Sequence, residues 1–127
     1  MRASGPVTLD IISDALLSEF GLSRGCYAAR ESYQCEAHGA IMIALSQLFV
    51  PPALKMNEER LRWVLRGFRD NLRLPAVPVF RDPAASQATV LDGVHRFRAS
   101  EAVGFKSLPC TVLSRAHAEA GFEYSSR

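Results

Sequence analysis

Apolar residues along this chain switch between helical spacing and short continuous runs. Leu61, Val64, Leu65, Phe68 and Leu72 recur every three or four residues, as on a helix that buries one face. Asn57 precedes them, Glu58 and Glu59 open the run, and arginines fill the rest, the charge order a helix dipole favours. The pattern predicts a helix from the Asn57 cap to 73, with all five apolar residues buried. Leu9, Ile12, Leu16 and Phe20 form a second stripe. It predicts a helix over 9–20, capped by Thr8, closed by Gly21 and laid over one side of a sheet. Between 26 and 36, Tyr27, Arg30, Glu31 and Gln34 also stand at helical spacings, so a helix is expected there. A partly buried role is expected for Tyr27 and Tyr33, with stacking on a base as the alternative.

The short runs 41–45, 76–80, 88–91 and 108–113 read as strands, and Pro51-Pro52 ends an extended segment. Pro78 removes a ladder donor from the second run, which predicts an edge or bulged strand. A last helix is expected over 96–103, ended by Gly104. Strands and periodic helices alternate within one domain's length. The expected fold class is α+β (mixed α/β), a small mixed sheet packed with helices. The expected organisation is an N-terminal helical extension over 1–40, a core domain over 41–115 and a short tail over 116–127.

Composition narrows the function classes. The chain has 127 residues, 48% of them hydrophobic, enough for one core. A net charge of +2 is too slight for a dedicated nucleic-acid coat. Three cysteines, an odd number, argue against a disulfide framework. Cys26, Cys35 and His38 could supply three metal ligands, but the spacing is loose and a fourth ligand is missing, so no metal site is expected. Cys110 reads as a small apolar core residue. The opening MRASGPVTLD has no apolar run before a cleavage site, and the longest apolar stretch, 40–50, is too short to span a bilayer. A cytoplasmic protein with no membrane partner is expected.

The candidate chemistry lies at 92–96, Asp92-Gly93-Val94-His95-Arg96. A strand stops at an Asp-Gly corner and a helix begins with His and Arg in its first turn. Free N–H groups and the positive end of the dipole suit an anion there. Gly93 permits close approach of a ligand, and His95 and Arg96 add side-chain donors. The turn therefore reads as a phosphate site. Asp92 is expected to shape the turn, with a magnesium or base role as the sharper alternative. Arg62, Arg66, Arg69 and Arg73 form a row on the face of their helix away from the apolar stripe. A solvated, exposed row is expected, with an acidic or nucleic-acid partner as the alternative.

The stretch DGVHRFRASEAVGFKSLPCTVL, with LSQLFVPPALKMNEERLRWVLRGFRDNLRLPAVPVF before it, resembles the ParB/sulfiredoxin (ParB-like nuclease domain) superfamily over roughly residues 41–115. The resemblance implies that compact fold and a nucleotide (ATP, ADP or CTP) whose phosphates are held by His95 and Arg96. It matches Arg60 to a basic residue that also reaches the phosphates. Trp63 and Gly67 stand where sulfiredoxins carry two hydroxyl residues. Val94 stands in the place of their catalytic cysteine, so sulfinic-acid reduction is not expected. Some relatives are ADP-dependent kinases of free serine with a catalytic Glu, for which Glu58 and Glu59 are the candidates.

Three functions stay open at this point. One is nucleotide binding with phosphotransfer or hydrolysis, assisted by Mg2+ that accompanies the nucleotide. Another is a DNA-associated partition, regulatory or nuclease module, without the helix-turn-helix and dimer domain that partition proteins carry after this module. The third is a degenerate module that binds a partner protein. A homodimer is compatible with all three.

Overall fold

The structure is a computed structural model that describes residues 8–9 and 11–113. The opening MRASGPV and the 116–127 tail lie outside the described residues. Chain order is β1 (Thr8–Leu9), α1 (Asp14–Glu19), β2 (Ile41–Ala44), a 3-10 turn (Leu45–Gln47), β3 (Leu48–Phe49), β4 (Met56–Asn57), α2 (Glu58–Arg69), β5 (Val77–Phe80), β6 (Ala88–Val90), α3 (Val94–Val103) and β7 (Ser107–Leu113). The sheet runs β2-β7-β5-β6-β3 and is mixed: β2/β7 and β5/β6 are antiparallel, while β5/β7 and β3/β6 are parallel. The expected α+β class is the observed one.

α2 begins where its sequence says. The Asn57 side chain accepts the Arg60 N–H at 2.9 Å, and Glu58 and Glu59 occupy the first turn. Leu61, Val64, Leu65 and Phe68 are buried. The helix stops earlier than expected, at Arg69. Asn71 turns left-handed (φ 54°) and Leu72 N–H bonds to Gly67 O at 2.9 Å. That turn swings Leu72 off the stripe, and it is 53% exposed rather than buried.

The amino-terminal segment differs from its sequence reading. Thr8 does not cap a helix. Thr8 and Leu9 pair with Asn57 and Met56 in an antiparallel ladder, so the helix starts only after Ser13, whose hydroxyl accepts the Leu16 N–H. Residues 26–36 form no helix: 26–29 are turns, and the rest is bends and irregular chain with a parallel bridge from Cys35 to Leu74. Their backbone is used elsewhere. Gly25 and Tyr27 donate to Ala102 O and Val103 O at the end of α3, and Glu31 O accepts from Lys106 and Ser107. A helix would withdraw those groups. Tyr33 is buried and stacks on Phe68 with centroids 5.8 Å apart; Tyr27 stacks on Phe105 at 5.2 Å.

Pro78 lies in β5, the central strand, not at an edge. Its carbonyl accepts the Leu91 N–H at 2.9 Å, one residue beyond the end of β6. The donor that proline lacks therefore falls at the end of the β5–β6 ladder, where its loss ends the pairing without breaking the sheet. Cys110 is fully buried in β7 and its thiol is pushed up to about 12, chiefly by burial. No helix among the described residues is long and apolar enough to cross a membrane.

Ile12, Leu16, Leu17, Phe20 and Tyr33 share one hydrophobic cluster with the sheet and with α2 and α3. These five residues thus belong to the core and do not merely cover it. Leu17 has 0% exposure. Leu17→Ala should cost about 2–5 kcal/mol and lower one cooperative transition in urea. An early transition confined to the amino-terminal segment would contradict this.

Candidate functional site

Two helix starts meet at one cavity of about 540 Å³, within the size range of small-molecule sites. α2 supplies Glu59, Arg60, Trp63 and Val64. The 92–96 turn supplies Asp92, Gly93, His95 and Arg96, and Pro75 lines the wall before β5. The four residues read as phosphate ligands, Arg60, Gly93, His95 and Arg96, therefore surround the same space.

The two starts differ. α2 is capped by Asn57 and carries two acids in its first turn. α3 has Gly93 at its cap position, no capping side chain and no acid in its first turn. Its leading N–H groups lack intrahelical acceptors, and the acid nearest its positive end is Asp92, just ahead of the cap. Gly93 sits at φ 98°. A Cβ there would lie 3.0 Å from Arg96 Nη2 and 3.1 Å from Val77 Cγ2. Both backbone conformation and space therefore demand glycine. Asp92 Oδ1 accepts the Gly93 N–H at 2.8 Å, the turn-shaping role expected of it.

His95 joins the two helix starts. Its Nε2 accepts the Asn57 N–H at 2.9 Å. An accepting Nε2 leaves the proton of the neutral ring on Nδ1. Burial lowers the His95 pKa first, then Arg60 and Arg96, while Asp92 opposes them. His95 can still donate to an anion, through one nitrogen only and as a neutral ring.

Arg96 is not the open fork that the sequence suggests. Its Nη1 donates to Pro75 O at 2.8 Å and to Ala76 O at 3.1 Å. Tyr33 donates its phenol to the same Pro75 carbonyl at 2.6 Å. The guanidinium thus latches α3 to the backbone that leads into β5, and only Nε and Nη2 remain for a ligand. Tyr33 is buried and does not line the cavity, so it braces the latch and is no platform for a base. Trp63 was noted only as a departure from a family pattern, yet it is 53% exposed and lines the cavity.

Other candidates fall outside the site. Glu58 pairs with Arg62 at 2.7 Å and does not line the cavity. The arginine row is mostly exposed, but it has acidic partners that the helix sequence alone concealed. Arg62 also pairs with Glu19 of α1 at 2.7 Å, and Arg69 with Asp70 at 2.8 Å. These contacts hold the Glu19 and Asp70 carboxyls below their ordinary range. Arg66 and Arg73 are exposed. Val94 is buried, and no cysteine among the described residues lines the cavity. Among those residues no group of three or more His, Cys, Asp and Glu gathers as a metal cluster would.

No protein-family model matches the sequence, and no curated protein matches it. Solved structures do. The chain aligns with a sulfiredoxin from Arabidopsis thaliana at TM-score 0.52 and 11% identity, over 66% of this chain and 97% of that one. It has the ParB/sulfiredoxin-like fold. A conserved hypothetical protein from Pyrococcus furiosus aligns at TM-score 0.51 and 16% identity, over 64% of this chain and 34% of that one. A free serine kinase in complex with ADP aligns at TM-score 0.51 and 14% identity over the same shares. The chain therefore spans about a third of those two proteins. At these identities the likeness establishes the ParB/sulfiredoxin-like fold alone.

Two predictions test this geometry. The folded protein resists protonation of His95, so the unfolded chain takes up that proton first as pH falls. Stability should be full above the ordinary histidine value of 6.5 and decline as pH falls through it toward the lower folded value. His95→Gln keeps an acceptor for Asn57 without titrating. Urea denaturation at several pH values should show a flatter decline in this variant; equal slopes would refute the lowered pKa of His95. Arg96→Ala should cost roughly 1–3 kcal/mol in the same assay. An unchanged urea midpoint would dismiss the latch.

Proposed function

We propose that this chain binds a nucleotide, with its phosphates at the start of α3. One observation carries the reading: the uncapped helix start, the Nδ1 donor of His95 and the Arg60 side of α2 border a single cavity. Backbone N–H groups and the helix dipole favour negative charge, and a neutral histidine donates without needing a proton from solution. Two fold neighbours are a mutant free serine kinase in complex with ADP and a free serine kinase in complex with AMP, which supports a nucleotide over a simpler phosphate ester. The arginine row offers less support for DNA, since Arg62 and Arg69 already face acids.

Mg2+ would arrive with the nucleotide. Mg2+ commonly uses one or two carboxylates together with substrate phosphates, and Glu59 and Asp92 both line the cavity. Asp92 has one oxygen engaged by Gly93, which leaves the other for an ion. Glu59 is also the carboxylate that could serve an acceptor hydroxyl in phosphoryl transfer. Thiol chemistry has no support, because a buried valine stands at 94.

Calorimetry with ATP, ADP, CTP and AMP, with and without Mg2+, tests the reading. Arg60→Ala removes one guanidinium from the cavity wall. It should weaken the tightest nucleotide roughly 10- to 100-fold, as loss of a charge-assisted contact does. No heat with any nucleotide, or equal affinity in Arg60→Ala, would reject it.

A further inference from the structure

Trp63 is the chain's single tryptophan and stands on α2 one turn beyond Glu59 and Arg60. A large aromatic ring on a helix usually faces the core. Its neighbours Leu61, Val64 and Leu65 do so, while Trp63 is 53% exposed. It is not spare surface, because it lines the same cavity as His95 and Arg96. Along the helix, donors at Arg60 and a flat apolar face at Trp63 are separated by about 5 Å, close to one turn. A ribose holds a base and its first phosphate a comparable distance apart.

Val64 and Pro75 add further apolar surface to the same cavity. Among the described lining residues, no Asn, Gln, Ser or Thr is present to read the edge of a base. The charged and polar side chains are Glu59, Arg60, Asp92, His95 and Arg96, and the last three belong to the 92–96 turn that forms the phosphate end.

We propose that Trp63 is the stacking platform for the base of the bound nucleotide, and that the site selects by ring area rather than by hydrogen-bond pattern. The proposal rests on the nucleotide reading above and adds the source of its specificity. Stacking tolerates any base, since each has a π face, and it favours the larger purine ring. Purine nucleoside phosphates therefore bind tighter than pyrimidine ones, and adenine and guanine are held alike. Trp63 is a binding residue and takes no part in proton or phosphoryl transfer.

The single indole makes the test direct. Titrating ADP with Mg2+ into the intact chain should quench tryptophan fluorescence, and inorganic pyrophosphate with Mg2+ should leave it nearly unchanged. Calorimetry then compares variants. Trp63→Ala and Trp63→Leu should weaken ADP about 5- to 100-fold, and Trp63→Phe should recover most of the loss. Pyrophosphate affinity should be the same in all four proteins, as should the melting temperature, because the ring is exposed. Equal ADP affinity in wild type and Trp63→Ala would overturn the platform, as would GDP binding tenfold or more away from ADP. With pyrophosphate still bound, that failure would leave a phosphate site standing. Binding of neither ADP nor pyrophosphate would remove the nucleotide reading and the platform together.

Discussion

The bond from Asn57 N–H to His95 Nε2 is the contact on which the site depends. It spans two helix starts that are far apart in sequence. Asn57 closes the short β1–β4 ladder, caps α2 with its side chain and offers its own N–H to the ring. His95 rises from the first turn of α3. That hydrogen bond ties the start of α2 to the start of α3 and sets the tautomer of the imidazole, while the shared core packs the two helices together. Burial and the nearby Arg60 and Arg96 hold the ring neutral, which preserves the bond. A protonated ring would set one donor against another at Nε2.

The same economy governs Arg96. A guanidinium carries five N–H groups, and part of that fork is spent on the Pro75 and Ala76 carbonyls. Tyr33 shares the Pro75 carbonyl, so a residue from the amino-terminal segment braces the latch. Gly93 completes the arrangement, since any Cβ there would press on Arg96 and Val77. The turn therefore holds the fold together as well as bordering the cavity. Substitutions within it cannot be interpreted through ligand affinity alone.

Much of this was legible in the chain. The cap at Asn57, the buried face of α2, the Asp-Gly corner and the α3 start follow from local rules, and local rules sufficed there. Thr8 and Leu9 failed those rules because a distant strand partner, Met56 and Asn57, claimed their backbone. Residues 26–36 failed because their N–H and C=O groups serve the end of α3 and the start of β7. Pro78 misled because the sequence does not reveal where the neighbouring strand ends. The site was half visible: its residues were named, but their partners were not. No pattern in the chain announces that the Asn57 backbone meets His95, that Arg96 turns back on carbonyls, or that Trp63 faces the cavity.

The central claim is that a neutral His95 accepts at Nε2 and presents Nδ1–H to an anion. Long-range nitrogen–proton correlation spectra of the imidazole read both nitrogens at once. At neutral pH the account predicts a protonated Nδ1 and a bare Nε2. It also predicts that adding a nucleotide with Mg2+ shifts the Nδ1 resonance strongly while Nε2 keeps its accepting signature. A ring protonated on Nε2, or an Nδ1 signal indifferent to nucleotide at saturating concentration, would contradict it.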